Sequence, residues 1–485
     1  MQKRNNNLLI LQRNKKVIDN IFSKKIVIPI EIKVREFLPK AYLAYKIVRN
    51  SSFDVVLGGQ RNYTNKLIYK NCILLDKNTK PSDREVFTFH RNNFIAMLDE
   101  EGPISFQHTT ICNERYNLKK LNHQIDCFLF SGKKDLGKIN YSSIKSKSFI
   151  VGNPKFDFLK SNLGVIFKKE NNYKKKKFNN FIFITGHYPS ASVRVSDSWI
   201  TSIGKKNLGA QKNLKNHISK KLKFNDNRKK NYFALLNLVS KIAEENPKKT
   251  FIFRRHPFES ENFIQNFFYN KPKNLKLIYK FPVTPWIYNC DMHLHSGCLS
   301  SLESIFLKKK LITFMPFNSI EDFENYKSFK PFFKREDICR KFFKKKKYSK
   351  KQFFYGNMER VLINFSNKKT FKLILNVFNT KYKNIKSQIS FKKIDKNPKS
   401  SLLNLVLKIG SSAKSLINKS PFAQEYLAKI SPYLTDTKET KSLKFKSITL
   451  DEMKKTIKLF TKADNFKGLI DVKKISESTF YIKKK

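Results

Sequence analysis

The chain has 485 residues, enough for two or three domains with ample core. Its hydrophobic content of 40% and aromatic content of 14% exclude global disorder. Against 38 Asp and Glu stand 99 Lys and Arg, a net charge of +61, and a surface of that sign attracts nucleic acid, anionic lipid headgroups or acidic sugars.

In chain order, a basic segment over 1–24 precedes a first buried strand at Lys25–Ile30. Helical spacing follows from Val34 to Val48, with Leu38, Tyr42, Tyr45 and Val48 on one face. Phe53–Leu57, Cys72–Leu75, Phe94–Leu98, Cys127–Phe130 and Phe149–Val151 continue a strand series separated by helical or polar stretches. Short apolar strands alternating with helices predict a parallel sheet covered on both faces, over 25–167. The pattern pauses at 168–180, which contains Lys174–Lys177 and reads as an interdomain linker.

A second series spans 181–385: strands at Phe181–Ile184, Thr250–Phe253, Leu275–Ile278, Met292–Leu294 and Leu311–Phe314, with a long helix around Tyr232–Asn246. A polar insertion at about 190–228 reads as a loop near the cleft. Beyond 385 Lys and Ser dominate, so 386–485 is expected as a helical or partly disordered extension, with amphipathic pieces at Leu402–Ile409 and Phe422–Ile430.

Several function classes are disfavoured. There is no RNP-like, zinc-finger or helix-turn-helix pattern for nucleic acid. The strand ends carry no GxGxxG, and no GxxxxGK[ST] occurs, against a dinucleotide oxidoreductase and a P-loop NTPase. The six cysteines form no CxxC pair or metal-ligand spacing and read as buried thiols of a reducing compartment. No metal or other cofactor is expected. Leu8–Leu11 is too short for a signal peptide and no window spans a bilayer, so a cytoplasmic protein, soluble or peripheral to the inner face of the membrane, is expected.

The chemistry concentrates between Thr250 and Glu303. A buried strand runs into Arg254-Arg255-His256-Pro257, delivering cations and a ring donor where open α/β sheets bind ligands. The next strand, Met292–Leu294, meets His295-Ser296-Gly297 and then Cys298-Leu299-Ser300-Ser301-Leu302-Glu303, a small-residue turn opening a helix whose free N–H groups suit a phosphate. Of His293 and His295 on this strand, expected on opposite sides, one is expected to face a cleft.

The run Ile28-Pro29-Ile30-Glu31-Ile32-Lys33-Val34-Arg35-Glu36-Phe37-Leu38, with Leu43-Ala44 beyond it, resembles bacterial surface carbohydrate biosynthesis proteins. So do Leu98-Asp99-Glu100-Glu101-Gly102 and Val151-Gly152-Asn153-Pro154-Lys155-Phe156-Asp157. This is a capsule or lipopolysaccharide family of GT-B type, similar in its C-terminal half to transferases of Kdo and related acidic sugars. The resemblance covers roughly 25–330. It implies two Rossmann-like domains facing a cleft and transfer of an acidic sugar from a CMP-activated donor to a glycan or lipid-linked acceptor.

It also implies roles. Arg254, Arg255, His256, Pro257, His295, Ser296, Gly297, Ser300, Ser301 and Glu303 would form the donor site, with His187 after the first strand of the second half as a further candidate. Phosphate and carboxylate on such a donor complement this cationic wall. Glu303 would bind a donor hydroxyl, although a carboxylate in a first helical turn is also favourable without any ligand. Glu31, Asp99, Glu100 or Glu101 would supply the base that removes the acceptor proton, and His256 would assist the leaving group. Lys33, Arg35, Glu36, Asn153 and Asp157 would meet the acceptor, with helix capping the alternative for the last two. Two other readings stand beside this one: a sugar-nucleotide epimerase or glycerophosphate-type polymer transferase on the same fold, and a non-catalytic scaffold held to membrane or glycan by charge.

Overall fold

The computed structural model describes residues 24–59, 67–76, 93–98, 100, 125–137, 145–178, 180–186, 214–256, 259, 261–279, 281–317, 326, 328–345, 347–382, 388–391 and 447–485. The chain folds as two Rossmann-like α/β halves facing a cleft.

The first half is built on β1 (Lys25–Ile30), β2 (Asp54–Gly59), β4 (Ile73–Asp76), β5 (Phe94–Leu98), β6 (Cys127–Phe130) and β7 (Ser148–Ile150), all parallel, in the order β2-β1-β4-β5-β6-β7. β3 (Leu67–Lys70) stands apart, paired antiparallel with β14 (Gln388–Phe391). The sheet strands are almost wholly apolar and buried on both faces, as a helix-covered parallel sheet requires. Helix α1 (Lys33–Asn50) follows β1, and short helices α2 (Lys133–Gly137), α3 (Pro154–Leu159) and α4 (Leu163–Ile166) follow β6 and β7. The segment expected as a linker forms helix α5 (Lys168–Lys177).

The second half is parallel throughout: β8 (Phe181–Thr185), β9 (Thr250–Arg254), β10 (Leu275–Leu277), β11 (Met292–His295), β12 (Lys310–Phe314) and β13 (Phe332–Phe333), ordered β10-β9-β8-β11-β12-β13. The long helix α6 (Leu214–Glu244) packs Leu235, Leu236, Val239 and Ile242 on one face of this sheet. Helices α7 (Glu261–Phe267), α8 (Val283–Asn289), α9 (Ser300–Phe306) and α10 (Glu336–Phe343) complete the layers, α8 burying Trp286 on the opposite face, while α11 (Thr370–Lys381) crosses back to pack Phe371, Ile374 and Phe378 against the first half. Strand order reverses direction between β8 and β11, which opens a crevice beyond their carboxyl ends.

The C-terminal region differs from the expected loose extension. Residues 447–485 form helix α12 (Leu450–Ala463) and a hairpin of β15 (Ile470–Ser476) and β16 (Thr479–Lys484), and β16 pairs antiparallel with β2. Met453, Ile457, Phe460, Phe480 and Ile482 enter the same apolar cluster as β1, β2 and α1. Helix α12 is held to α1 by Lys33–Glu452 at 2.6 Å, Arg49–Asp464 at 2.8 Å and a Lys46–Asp464 contact. The apolar segments expected at Leu402–Ile409 and Phe422–Ile430 lie outside the described residues.

The two halves share an apolar seam at the cleft floor. Phe156 of α3 meets Phe306 of α9 edge-on at 5.4 Å, and Phe306 meets Phe365 at 5.1 Å. Gly152, at φ 88°, turns the chain into α3; a Cβ there would lie 2.4 Å from Asn364 Oδ1, so only glycine passes.

Candidate active site

Beyond the carboxyl ends of β1 and β8 the two halves enclose a cavity of about 290 Å³. That is near the lower end for a small-ligand pocket, roughly 300 Å³. Ile32, Arg35, Glu36, Leu38, Pro39, Glu100, Asn153, Lys155 and Phe158 line it from the first half. Thr185, Arg254, Arg255, His256, Val283, Thr284, Cys298, Ser300 and Glu303 line it from the second. Arg254, Arg255, His256, Ser300 and Glu303, expected together from the strand ends, do share one groove.

On the second-half wall, Arg254 ends β9 and is 7% exposed. Its Nη2 donates to the Phe281 carbonyl at 3.0 Å, and the guanidinium lies 5.1 Å from the Tyr279 ring centroid. Among the described residues no carboxylate pairs with it, and its buried Nε has no acceptor. Burial pulls this guanidinium below the usual arginine range, with neighbouring Arg255 adding to the effect and Tyr279, Glu303 and Glu259 opposing it. Arg255 is fixed differently: Nη1 donates to the Glu259 carbonyl and Nη2 to Glu261 Oε2, both at 2.9 Å, with Tyr279 4.2 Å from its face.

The turn after β9 is held from behind by Glu259, which is 3% exposed and accepts the His256 backbone N–H at 2.6 Å. Burial raises its carboxyl to about 7 against the opposing pull of Tyr232, the His256 N–H and the two arginines. Glu303, 1% exposed on α9, accepts from Thr284 Oγ1 at 2.8 Å. Its other oxygen meets the Lys155 ammonium of the first half in an ion pair without hydrogen-bond geometry. Thr185, at the end of β8, shares hydroxyl and thiol contacts with Ser300 and Cys298 at 3.2 and 3.1 Å.

On the first-half wall a buried lysine organises two acids. Lys40 Nζ donates to the Pro29 carbonyl at 2.6 Å and to Glu36 Oε2 at 3.0 Å, and pairs with Glu100 Oε2 at 2.9 Å. Burial alone would lower the lysine, but the charges of Glu100 and Glu36 outweigh it and hold the ammonium above its ordinary range. Asn153 caps α3 by accepting the Lys155 N–H at 3.0 Å, and its Nδ2 reaches the Glu100 carbonyl at 3.4 Å. Arg35 lies at the rim, 3.5 Å from Glu36 Oε1.

Several expected site residues are elsewhere. His295 is fully buried, Nε2 at 2.8 Å from Thr313 Oγ1 and Nδ1 accepting the Gly297 N–H. His293 is equally buried between Thr185 at 2.8 Å and Ser304 at 2.6 Å. The two residues are two positions apart on β11, so both rings lie on the same face, centroids 5.8 Å apart, instead of on opposite sides; that face is covered, so neither lines the cleft, and burial lowers His293 to about 3. Ser296, Gly297 and Ser301 lie behind the lining, with Gly297 O accepting from Tyr326 and Ser301 completely enclosed. Asp157 is turned away to accept from Asn364 Nδ2 at 2.9 Å and the Phe371 N–H at 3.2 Å, tying α3 to α11; Lys33 faces α12 instead. Glu31 also lies outside the lining, and its backbone N–H donates to Glu36 Oε2 at 2.9 Å. Asp99, Glu101, His187 and Pro257 lie outside the described residues.

Lys40, Lys155, Thr185, Glu259 and Thr284 were not anticipated as site residues. Lys155 and Thr185 stand at or just past strand ends, the one positional signal that marked them.

No protein-family model matches the sequence, and no curated protein matches it. Among solved structures the chain is similar to the S. aureus MnaA–UDP complex, at 12% identity and a TM-score of 0.45 over 73% of this chain and 96% of that one. It is similar to the Methanocaldococcus jannaschii UDP-GlcNAc 2-epimerase in complex with UDP-GlcNAc and UDP, at 14% identity and 0.45 over 73% and 99%. A third similar structure is the wall teichoic acid polymerase TagF, at 11% identity and 0.47 over 78% and 96%. At identities and scores this low the likeness carries nothing about substrate.

Proposed function

We propose that this chain is a GT-B-type enzyme of surface polysaccharide assembly that binds a nucleotide-activated sugar between its two halves and transfers the sugar to a glycan or lipid-linked acceptor. One observation carries the reading. Arg254 is a buried permanent cation at the switch point of a doubly wound sheet; among the described residues no carboxylate forms an ion pair with it, and Glu303 and Glu259 act on it only from a distance. A buried charge without a direct partner is costly, a ligand can supply the counter-charge, and a phosphate fits a planar guanidinium. Within this reading Arg254, Arg255 and His256 receive the phosphate, Glu303 with Thr284 takes a donor hydroxyl, and Glu100 is the described carboxylate nearest the role of base. Arg35, Glu36 and Asn153 border the acceptor side.

The donor we favour is a CMP-linked acidic sugar, whose phosphate and carboxylate match two cationic groups on one wall. A UDP-sugar is the competing donor, with epimerisation or polymer synthesis the competing reaction. We place the protein at the cytoplasmic face of the membrane: no described helix is long and apolar enough to cross one, while the +61 charge favours an anionic lipid surface.

The test is nucleotide release by the purified chain from CMP-linked acidic sugars and from UDP-sugars. CMP release that Arg254→Met and Glu303→Ala abolish supports the proposal. Turnover of UDP-sugars alone replaces it with the competing reading, and binding without turnover leaves a scaffold.

A further inference from the structure

We propose that Lys155 is a substrate-binding cation that Glu303 holds in reserve, and that it leaves Glu303 for the phosphate oxygens when a nucleotide enters the cleft. The inference rests on the nucleotide reading above and adds to it a residue from the opposite half of the molecule.

Lys155 is presented to the cleft by a rigid turn. Gly152 takes a conformation closed to other residues, and the Asn153 side chain caps the lysine's own backbone N–H at 3.0 Å. Asn364 Oδ1 accepts the Asn153 N–H at 2.8 Å, so the turn is fastened from both sides. From this base the side chain reaches across the cleft and stays 24% exposed, with the Glu303 carboxylate the one partner its ammonium meets among the described residues.

Glu303 is the reason the contact is exchangeable. Its Oε2 already accepts from Thr284 while Oε1, the oxygen that faces Lys155, makes no hydrogen bond among the described residues, so Oε1 is the better acceptor for a ligand hydroxyl. A hydroxyl arriving there satisfies the carboxylate and displaces the ammonium, which then needs another anion. Arg254, with its unpartnered Nε in the same cavity, marks where such an anion sits. Arg255 is less open to an anion there, because each of its Nη groups already spends one N–H on Glu259 or Glu261. A lysine suits the exchange better than an arginine fork, since a point charge on a flexible stem can swap one oxygen for another without geometric penalty. Because Lys155 and Glu303 belong to different halves, the exchange would couple the first half directly to the phosphate.

The experiment is calorimetric titration of the full chain with CMP, UDP, cytidine and uridine, for wild type, Lys155→Gln, Lys155→Arg and Glu303→Gln. The glutamine variant at 155 is expected to weaken both nucleotides by about tenfold or more, while either nucleoside changes by less than about twofold. Arginine at 155 should recover most of the loss, which a folding defect would not allow. Glu303→Gln should weaken the nucleosides and raise the ratio of nucleotide to nucleoside affinity, because the lysine is released. If Lys155→Gln binds nucleotides as well as wild type or better, the lysine only pins the cleft shut and the proposal is wrong. If wild type binds none of the four probes, the nucleotide reading fails and the exchange fails with it.

Discussion

On the first-half wall of the cleft the buried Lys40 ammonium sits between Glu36 at 3.0 Å and Glu100 at 2.9 Å, whereas on the second-half wall Arg254 is nearly as buried and forms no ion pair among the described residues, with Glu303 and Glu259 acting on it only from a distance. The two cations therefore answer to different demands. Lys40 is directly compensated within the fold, so its removal strands two acids; Arg254 has no such direct partner among the described residues. A buried pair broken at one partner is costly, while a buried charge without a direct partner already carries its cost in the folded state. Direct charge compensation, more than the presence of charge, separates the two walls, and the proposed ligand belongs to the less compensated one.

The largest effect should come from deleting 447–485. Met453, Ile457, Phe460, Phe480 and Ile482 bury against the first sheet, and at about 2 kcal/mol each their sum approaches the whole net stability of a domain. Limited proteolysis should find the first half degraded and the second half protected; equal protection of both would show that the hairpin is dispensable. Lys40→Met should destabilise the chain by about 3–5 kcal/mol in urea unfolding, since Glu36 and Glu100 lose their counter-charge. A loss under about 1 kcal/mol would erase the contrast drawn between the walls.

Glu259 sharpens the comparison through pH. Its folded-state carboxyl, raised to about 7, binds a proton that the unfolded chain has released, so stability falls as pH climbs from the ordinary glutamate range through 7. Glu259→Gln, which mimics the protonated form, should be more stable than wild type at pH 8 by roughly 2–3 kcal/mol and no more stable at pH 4. The opposite ordering would mean that the fold favours the ionised carboxylate and does not raise the Glu259 carboxyl above the ordinary glutamate range. His293 works in the other direction: lowered to about 3, it contributes stability that is complete above the ordinary histidine range and is lost as pH falls toward 3. Smallest in stability is Arg254→Met. Its unfolding midpoint should move far less than that of Lys40→Met, while affinity for CMP or UDP drops by about 2 kcal/mol, some thirtyfold.

Much of the scaffold was legible along the chain because a parallel sheet buried on both faces writes itself as short apolar runs. The runs at 25–30, 94–98, 127–130 and 250–254 coincide with strands β1, β5, β6 and β9 to within a residue. The hairpin was not read, although Val472 and Ile475 on β15 and Phe480 and Ile482 on β16 are apolar, because lysines at 473, 474, 483 and 484 gave the segment the look of a solvated tail. Lysines on the outer positions of an edge hairpin are compatible with a buried inner face. The cavity lining follows the same division. Arg254, Arg255, His256 and Glu303 line the cleft because they stand at strand ends of an open sheet or at the helix start beyond one, while His295 and Ser301 occupy neighbouring positions and face inward.

The sequence by itself determined the two series of strands, the place of the crevice beyond their carboxyl ends and the cationic character of one wall, since these depend on local periodicity and on residues adjacent in the chain. Tertiary structure alone decided which charges are balanced. Lys40 meets Glu100, Lys155 meets Glu303 and Asp157 meets Asn364 only after separate strands and helices have docked in register. Coulomb energy depends on distance in space and on burial, and neither quantity is written in the order of residues.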